Sequence, residues 1–249
     1  MLAPAVREDQ LVNRIKALFF DFDGTLLDGS GHREAIRATC REIASTHSEL
    51  DADRLLEKNG EVWTHYWPTV AQGWTLGRLD GATIRREAWR RTLEACGCDD
   101  PAVARTASAA HARHLRESLR LYPEVHALLA SLRLHYRLGL ITNGASDTQR
   151  GSLRMLGIEQ TFDAVAISGE VGVAKPDPAI FQVALRDLGV EPEQAWHIGD
   201  DALTDIAGAH AAGLTAVWLN RSEGLWIHGE PEPHYEVSSL SELPKLLPV

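Results

Sequence analysis

The chain is poor in cysteine and has no long apolar run. Its 249 residues include three cysteines, Cys40, Cys96 and Cys98. Three cysteines cannot form the disulfide framework of a small secreted protein, and Cys96 and Cys98 lack the second ligand pair that a structural zinc site needs. No stretch reaches the length of a transmembrane helix, and residues 1–15 carry no apolar signal-peptide segment. We therefore expect free thiols, a cytoplasmic location and no membrane partner.

Positive charge is also in deficit. The 25 Lys and Arg residues are outnumbered by 35 Asp and Glu residues, which gives a formal net charge of −10 at pH 7. Because a negative protein is repelled by a phosphate backbone, we expect no nucleic-acid polymer as a partner. A small anionic substrate is compatible with this charge if a metal ion, a lysine or backbone N–H groups make its site locally positive.

The hydrophobic pattern changes along the chain. Residues 16–22, KALFFDF, hold a continuous apolar stretch, which is typical of a parallel strand buried on both faces. Residues 32–118 are rich in Ala, Arg, Glu and Leu and show helical spacing, which predicts four or so helices. From Tyr122 onwards, apolar strands alternate with helical segments. The predicted strands are RLGLIT (137–142), DAVAIS (163–168), AWHIG (195–199) and TAVWLN (215–220).

This alternation indicates a parallel sheet that is covered by helices on both faces. We therefore predict an α/β fold with a Rossmann-like doubly wound parallel sheet, formed by residues 1–29 and 120–249. The helical stretch between them, residues 30–119, is predicted to be an inserted α-helical cap domain.

Polar residues follow most of the predicted strands. In an open parallel sheet, ligands bind beyond the carboxyl ends of the strands, so these residues are expected to share one site. They are DFDGT (21–25), TNG (142–144), Lys175 in KPDP, and GDDALTD (199–205).

The residue types at these strand ends suit phosphate chemistry. Carboxylates gathered in one cleft repel each other unless cations neutralise them, and oxygen-only ligands favour Mg²⁺ over zinc. One carboxylate of the first pair can attack a phosphorus atom and form an aspartyl-phosphate, while the other moves the proton of the leaving group and of water. Thr142 and Asn143, with the N-terminus of the following helix, can hold phosphoryl oxygens.

Together these segments resemble a known family. FDFDGTLLD, LITNG, KPDPAIF and HIGDDALTDIAGAHAAG are similar to the four ordered motifs of the haloacid dehalogenase superfamily. The resemblance implies a Rossmann-like core with a cap inserted after the first motif, Mg²⁺ as cofactor and a small phosphorylated metabolite as partner. By this resemblance Asp21 is the nucleophile, Asp23 is the general acid/base, and Lys175 steadies the nucleophile and the phosphate.

The resemblance also implies the binding residues. Those expected to contact the substrate phosphate are Gly24, Thr142, Asn143, Gly144 and Lys175. Those expected to hold the metal are Asp21, Asp23 through its backbone carbonyl, Asp200 and Asp205. Asp201 departs from the Ser or Thr of many relatives, and we expect it to face solvent or to begin a helix.

Asp23 distinguishes between the activities of the family. A dehalogenase expels a halide, which needs no proton, whereas a phosphatase expels an alkoxide, which does. Asp23 therefore favours a phosphatase that acts on a small phosphomonoester. A sugar phosphomutase keeps both aspartates and stays an alternative, as does a non-catalytic protein that binds a phosphorylated ligand. The sequence leaves open whether the protein is a monomer or a homodimer.

The tail narrows the branch of the family. VWLNR (217–221) and PHYEVSSLSELPKLL (233–247) resemble the endings of N-acylneuraminate-9-phosphatase-type and nucleotidase-type members. This resemblance implies a sugar phosphate, a sugar acid phosphate or a nucleotide as the substrate.

The predicted cap holds less specific signals. Trp63 and Trp67 are four residues apart and so share one helical face, where they pack against other helices or touch substrate. RREAWRR (85–91) is interpreted as a solvated helix face, from which one arginine could reach a substrate anion. His111 and His114 lack a third metal ligand, so we interpret them as surface histidines.

Overall fold

The chain folds as two units in the computed structural model, which describes residues 15–227 and 229–247. The first unit holds the residues up to Leu27, residues 121–143, and the residues from Ile158 onwards. The second unit holds residues 28–120 and 144–157. The predicted limits of core and cap stay a prediction, and the parts of the predicted core at 1–14, 228 and 248–249 lie outside the described residues.

The strands and helices have the following limits. The strands are β1 (Ala17–Phe20), β2 (Leu27–Asp28), β3 (Arg120–Leu121), β4 (Arg137–Thr142), β5 (Ala164–Ile167), β6 (Ala195–Gly199), β7 (Thr215–Leu219) and β8 (Tyr235–Val237). The helices are α1 (Ser30–Thr46), α2 (Ala52–Thr75), α3 (Gly81–Ala95), α4 (Pro101–Ser118), α5 (Val125–Leu132), α6 (Ser146–Met155), α7 (Ser168–Val171), α8 (Pro178–Leu188), α9 (Ala207–Ala212) and α10 (Leu243–Leu246). A π-helical turn, Ala202–Ile206, precedes α9.

A six-stranded sheet in the order β5–β4–β1–β6–β7–β8 organises the first unit. All of its neighbouring strands pair in parallel. This confirms the predicted α/β, Rossmann-like class. The edge strand β8 was not predicted, because three residues are too few to show a strand pattern.

The strand β1 lies between β4 and β6, which explains its continuous apolar sequence. All four of its residues are buried, since helices cover both faces of a central parallel strand. The strands β1 and β4 pack closely beside Phe19. A Cβ atom on Gly139, in β4, would lie 2.3 Å from the ring of Phe19.

The second unit is helical, as the composition predicted. Aspartate side chains cap three of its helices: Asp51 accepts a hydrogen bond from the N–H of Arg54, Asp80 from that of Thr83, and Asp100 from that of Ala102. A buried cluster of α1, α2, α3 and α4 forms its main core, with Cys40, Ile43, Leu55, Trp89 and Leu93 among its members.

The helix α6 belongs to this second unit, although the prediction placed it in the core domain. The backbone N–H of Gly81 donates to the carboxylate of Asp147 at 3.1 Å, and Trp74 Nε1 donates to Thr148 Oγ1 at 3.4 Å. These contacts join the first turn of α6 to the C-terminal end of α2 and to the N-terminal end of α3. They explain why this segment groups with 28–120.

The tryptophans of α2 mainly pack within the unit. Trp63 and Trp74 lie against a small buried cluster that contains Tyr66 and Ile84. The ring of Trp67 is tilted against that of Trp63, with centroids 6.1 Å apart, and meets that of Trp74 edge to face, with centroids 5.3 Å apart. Trp67 keeps 37% of its surface exposed.

In the described part of the chain, no helix is both long enough and apolar enough to cross a membrane. The three cysteines are free: Cys40 is buried, and Cys96 and Cys98 are half-buried.

One histidine contradicts its interpretation from the sequence. His111 is not on the surface; it is 7% exposed, and its Nδ1 accepts a hydrogen bond from Trp89 Nε1 at 3.0 Å. Burial, with the positive charges of Arg85 and His32, lowers the pKa of His111 to about 3. A partner on a neighbouring helix decides this burial, and a single sequence does not reveal that partner. His114 is half-buried and pairs with Glu42 at 2.8 Å.

We predict that His111 makes the protein sensitive to acid. A histidine whose pKa is lowered by folding stabilises the folded state fully above about pH 6.5, its unfolded pKa, and that stability is lost as the pH falls below this value. In urea unfolding, the wild type should lose about 2 kcal/mol more than His111→Gln between pH 7 and pH 5, because the loss approaches about 1.4 kcal/mol per pH unit only well below pH 6.5. His126→Gln, at an exposed position, is the matched control and should keep the pH dependence of the wild type. Equal pH dependence of the free energy of unfolding in wild type and His111→Gln would contradict the role of His111.

Candidate active site

The chain turns sharply directly after β1. The N–H of Asp21 donates to the carbonyl of Ile198 at 2.9 Å, and the N–H of Leu27 donates to the carbonyl of Phe22, which closes the turn. Gly24 has φ +86°, and a Cβ atom on it would lie 2.3 Å from Asp200 Oδ2. Glycine is therefore required here both by the backbone conformation and by the approach of Asp200.

A buried lysine joins two aspartates in this unit. Lys175 Nζ donates to Asp21 Oδ1 at 2.5 Å and to Asp205 Oδ1 at 2.6 Å. All three side chains are almost completely removed from solvent. Residues that are 154 and 30 positions apart in the sequence thus meet at one ammonium group.

The charges of this group set one another's pKa values. Burial raises the pKa of Asp21 well above its usual range. The charge of Lys175 opposes this rise, and the charge of Asp205 adds to it. Burial alone would also raise the pKa of Asp205, but Lys175 and His197 hold it below its usual value. Burial opposes the charge of Lys175, yet Asp205 and Asp21 keep the pKa of its ammonium raised. Lys175 and Asp205 are therefore charged at neutral pH, and Asp21 depends on the nearby positive charge for its ionisation.

His197 is a site residue that the sequence analysis missed. It is fully buried in β6, and its Nε2 lies 2.9 Å from Asp205 Oδ1, to which it donates a hydrogen bond. Burial lowers the pKa of His197, so the ring is neutral, with its proton on Nε2. Its Nδ1 has no hydrogen-bond partner among the described residues. The available signal was a lone polar residue within the otherwise apolar strand AWHIG.

Asn143 contacts the lysine segment. Its Oδ1 accepts from the N–H of Lys175 at 2.9 Å, and its Nδ2 donates to the carbonyl of Lys175 at 3.0 Å. This pair of hydrogen bonds fixes the peptide units on both sides of Lys175. Thr142, which precedes it, is buried at the end of β4. Gly144 follows and groups with the second unit, where a Cβ atom would lie 2.6 Å from Trp74.

Asp200 and Asp23 line the more open side of the same strand ends. Asp200 Oδ1 accepts from Thr25 Oγ1 at 3.2 Å, a contact that the sequence analysis did not foresee. Partial removal from solvent and the charge of Asp205 raise the pKa of Asp200 to about 6. Asp23 is exposed, and its charge contributes to the raised pKa of Asp21.

Asp201 begins the next helical segment, as expected. Its side chain accepts hydrogen bonds from the N–H groups of Leu203 and Thr204, and it is exposed. Its own N–H donates to Asp205 Oδ2 at 3.1 Å.

The residues present fit a hard divalent cation. Carboxylate oxygens of Asp21, Asp200 and Asp205 lie within 4.8 Å of one another. The donor set is all oxygen, which suits Mg²⁺. A cation would offset the burial and the repulsion from Asp205, which together raise the pKa of Asp21 and Asp200. The hydrogen bonds of Asp205 to Lys175, His197 and Asp201 occupy most of its acceptor capacity, so Asp21 and Asp200 are better placed to be direct ligands.

We predict that Lys175→Met destabilises the protein by roughly 3–5 kcal/mol, because it leaves buried carboxylates without their counter-charge. Urea unfolding in the presence of chelator measures the change in the free energy of unfolding without a contribution from metal. Lys245→Met, at an exposed position, is the matched control and should change stability by less than about 0.5 kcal/mol. A Lys175→Met protein as stable as the control would show that the buried pair is not required for folding.

Comparison with known proteins places this geometry in a family. The chain is 32% identical to the N-acylneuraminate-9-phosphatase of Rattus norvegicus over 245 residues, 95% of each protein. It is 33% identical to the glyceraldehyde 3-phosphate phosphatase of Methanopyrus kandleri over 241 residues, 92% of this chain and 95% of that protein. A solved HAD-hydrolase of Bacillus subtilis, YfnB bound to magnesium, aligns with a TM-score of 0.68 at 25% identity, over 95% of this chain and all of the other.

A family model, haloacid dehalogenase-like hydrolase, matches residues 15–213. This range contains Asp21, Thr142, Lys175 and Asp200 and therefore the whole of the site described above. The resemblance implied by the four motifs is thereby confirmed. The chain belongs to the haloacid dehalogenase-like hydrolases, and within them it is a phosphatase, a hydrolase of phosphoric monoesters.

Proposed function

We propose that the protein is a Mg²⁺-dependent phosphatase that cleaves a small phosphomonoester through an aspartyl-phosphate on Asp21. The observation that carries the proposal is the contact of Lys175 Nζ with Asp21 Oδ1 at 2.5 Å in a buried site, with a second aspartate two residues further along the chain. This contact supplies a nucleophile whose charge is balanced, close in the sequence to a second carboxyl group that can move a proton.

Asp21 acts as the nucleophile. One of its carboxylate oxygens attacks phosphorus, and the bond from phosphorus to the leaving-group oxygen breaks. Burial disfavours the ionised form of this carboxyl group, so the reaction depends on positive charge beside it. Lys175 provides that charge, and its own position is fixed by Asp205 and by the hydrogen bonds of Asn143.

Asp23 moves the protons. In the first step its carboxyl group gives a proton to the departing alkoxide oxygen. In the second step the carboxylate takes a proton from water, whose oxygen attacks phosphorus and releases Asp21 and inorganic phosphate. The exposure of Asp23 suits this role, because its carboxyl group is accessible to substrate and to water.

Asp21, Asp200 and the backbone carbonyl of Asp23 would hold Mg²⁺. When bound, the ion neutralises the charge of the site and of the phosphoryl oxygens. We assign Asp205 a supporting role, since its carboxylate is engaged by Lys175 and His197.

Thr142 and Lys175 are the proposed phosphate contacts. Asn143 acts through Lys175, because its side-chain amide is already paired with the lysine backbone. Gly24 allows the turn after β1 and the approach of Asp200, while its own N–H donates to Leu27 at 3.1 Å. Gly144 stays a proposed contact through its backbone.

We propose a sugar acid phosphate as the substrate, since the N-acylneuraminate-9-phosphatase of rat matches 95% of the chain. The first assay is phosphate release from a panel that contains N-acylneuraminate 9-phosphate, glyceraldehyde 3-phosphate and nucleoside monophosphates. Label transfer between two positions of a sugar phosphate, without phosphate release, would instead establish a mutase.

The proposed setting is the cytoplasm, with the protein as a monomer or homodimer. The free state of Cys40, Cys96 and Cys98 supports a reducing compartment. Detection of the protein in the fractions of disrupted cells would test the location. Light scattering of the purified protein would test whether it is a monomer or a homodimer.

We predict that Asp21→Asn lowers phosphate release by about three orders of magnitude or more, because the amide cannot attack phosphorus. Removal of Mg²⁺ with chelator should have a comparable effect on the wild type. Asp201→Asn is the matched control, since asparagine caps a helix as well as aspartate does. Full metal-dependent activity of Asp21→Asn would overturn the proposed nucleophile.

We predict that the effect of Asp23→Asn depends on the leaving group. Transfer of the phosphoryl group from an alkyl phosphate should slow by roughly 10²–10⁴, because the alkoxide needs a proton. The first turnover of p-nitrophenyl phosphate should slow far less, since nitrophenolate leaves without one. Rapid-quench measurement of the first turnover with both esters separates the steps, and equal losses would argue against general acid catalysis by Asp23.

A further inference from the structure

We propose that the second unit carries a binding site for a small amphipathic monoanion, in a cavity between α1, α2 and α4. The site takes a molecule with an apolar body and one carboxylate or sulfonate group. It lies wholly within this unit, and the inference does not depend on the proposed phosphatase mechanism.

The cavity has the size and lining of a small-molecule site. Its volume is about 510 Å³, within the usual range for such sites. Ile36 from α1 and Leu56 and Trp63 from α2 give it apolar walls. All three are half-buried, so each keeps apolar surface that a ligand can cover.

Two polar side chains of the wall are each fixed by one hydrogen bond within the unit. Asn59 is buried, and its Nδ2 donates to Thr92 Oγ1 at 3.0 Å. His111 is buried and bound to Trp89 Nε1. Asn59 Oδ1 and His111 Nε2 have no hydrogen bond among the described residues, so a polar atom of the ligand can pair with them.

Positive charge is confined to one side of the cavity. Arg33 and Arg37 are one helical turn apart on α1, and both line it. Neither guanidinium has a hydrogen bond or an ion pair within residues 15–227 and 229–247. Some other arginines of this unit are paired, Arg90 and Arg91 with Glu87 and Arg120 with Glu34, so Arg33 and Arg37 are distinguished by lining the cavity rather than by lacking an ion pair.

No acidic residue lines the cavity. Arg33 and Arg37 therefore give the cavity a local positive charge in a protein with a net charge of −10, although Arg37 also acts on Glu34, whose main partner is Arg120. The complementary ligand carries one negative group for these guanidiniums and no positive group.

Gly60 supplies an independent observation. It lies inside α2, where glycine is unfavourable for the helix, and it lines the same cavity. A Cβ atom at this position would meet nothing within 4 Å. Glycine is therefore not required by packing, and its effect is to leave the cavity open.

The test uses the full chain and the fluorescent aryl sulfonate 1-anilinonaphthalene-8-sulfonate. We expect saturable binding to one site per chain, with displacement by octanoate at a concentration about tenfold lower than by octan-1-ol. Gly60→Leu should abolish binding because its side chain fills the cavity, while Gly60→Ala should retain it. Circular dichroism of each variant checks that it is folded.

The arginines are tested separately. Arg33→Gln combined with Arg37→Gln should remove the preference for octanoate over octan-1-ol. Arg41→Gln, on the same helix but outside the cavity lining, is the matched control and should keep it. Wild-type binding by Gly60→Leu, or an unchanged octanoate preference in the double variant, would overturn the proposal. Displacement by octanoate or by benzoate would distinguish an alkyl from an aryl ligand.

Discussion

A buried ammonium group has to be paired, and this constraint organises the catalytic unit. Lys175 is removed from solvent, and it is balanced by Asp21 on one side and Asp205 on the other. Each of the three groups would be costly to bury alone: the two carboxylates keep the pKa of Lys175 raised, and Lys175 opposes the rise that burial causes in the pKa of Asp21 and Asp205. The same balance prepares Asp21 for reaction, because its ionisation depends on a cation that the fold has fixed in place.

The sheet order brings these charges together. Asp21 follows β1, and Asp200 follows the adjacent strand β6, while Asn143 follows β4 on the other side of β1. Parallel pairing aligns the carboxyl ends of all three strands at one edge. The neighbours then adjust to each other: glycine at position 24 makes room for Asp200, and Asn143 holds the backbone of Lys175. His197 extends the network below Asp205, in the interior of the sheet.

The second unit is stabilised by different interactions. Three of its helices begin at aspartate caps, its helices pack through apolar faces, and some of its arginines are paired along helix surfaces. Arg33 and Arg37 differ from those paired arginines because they line an apolar cavity. Stability and binding are thus separable here, since Gly60 can be changed without disturbing a packed contact.

The sequence by itself determined the fold class, the order of the main strands, the four motifs and the division into α/β and helical stretches. These features are local: continuous apolar strands, helical spacing and residue types at strand ends are written in consecutive residues. Only the tertiary structure decided which side chains share a partner. It paired Asn143 with the backbone of Lys175, buried His111 and His197, engaged Asp205 with three donors, and grouped α6 with the helical unit. These outcomes depend on contacts between residues far apart in the chain, and a single sequence carries no record of such contacts.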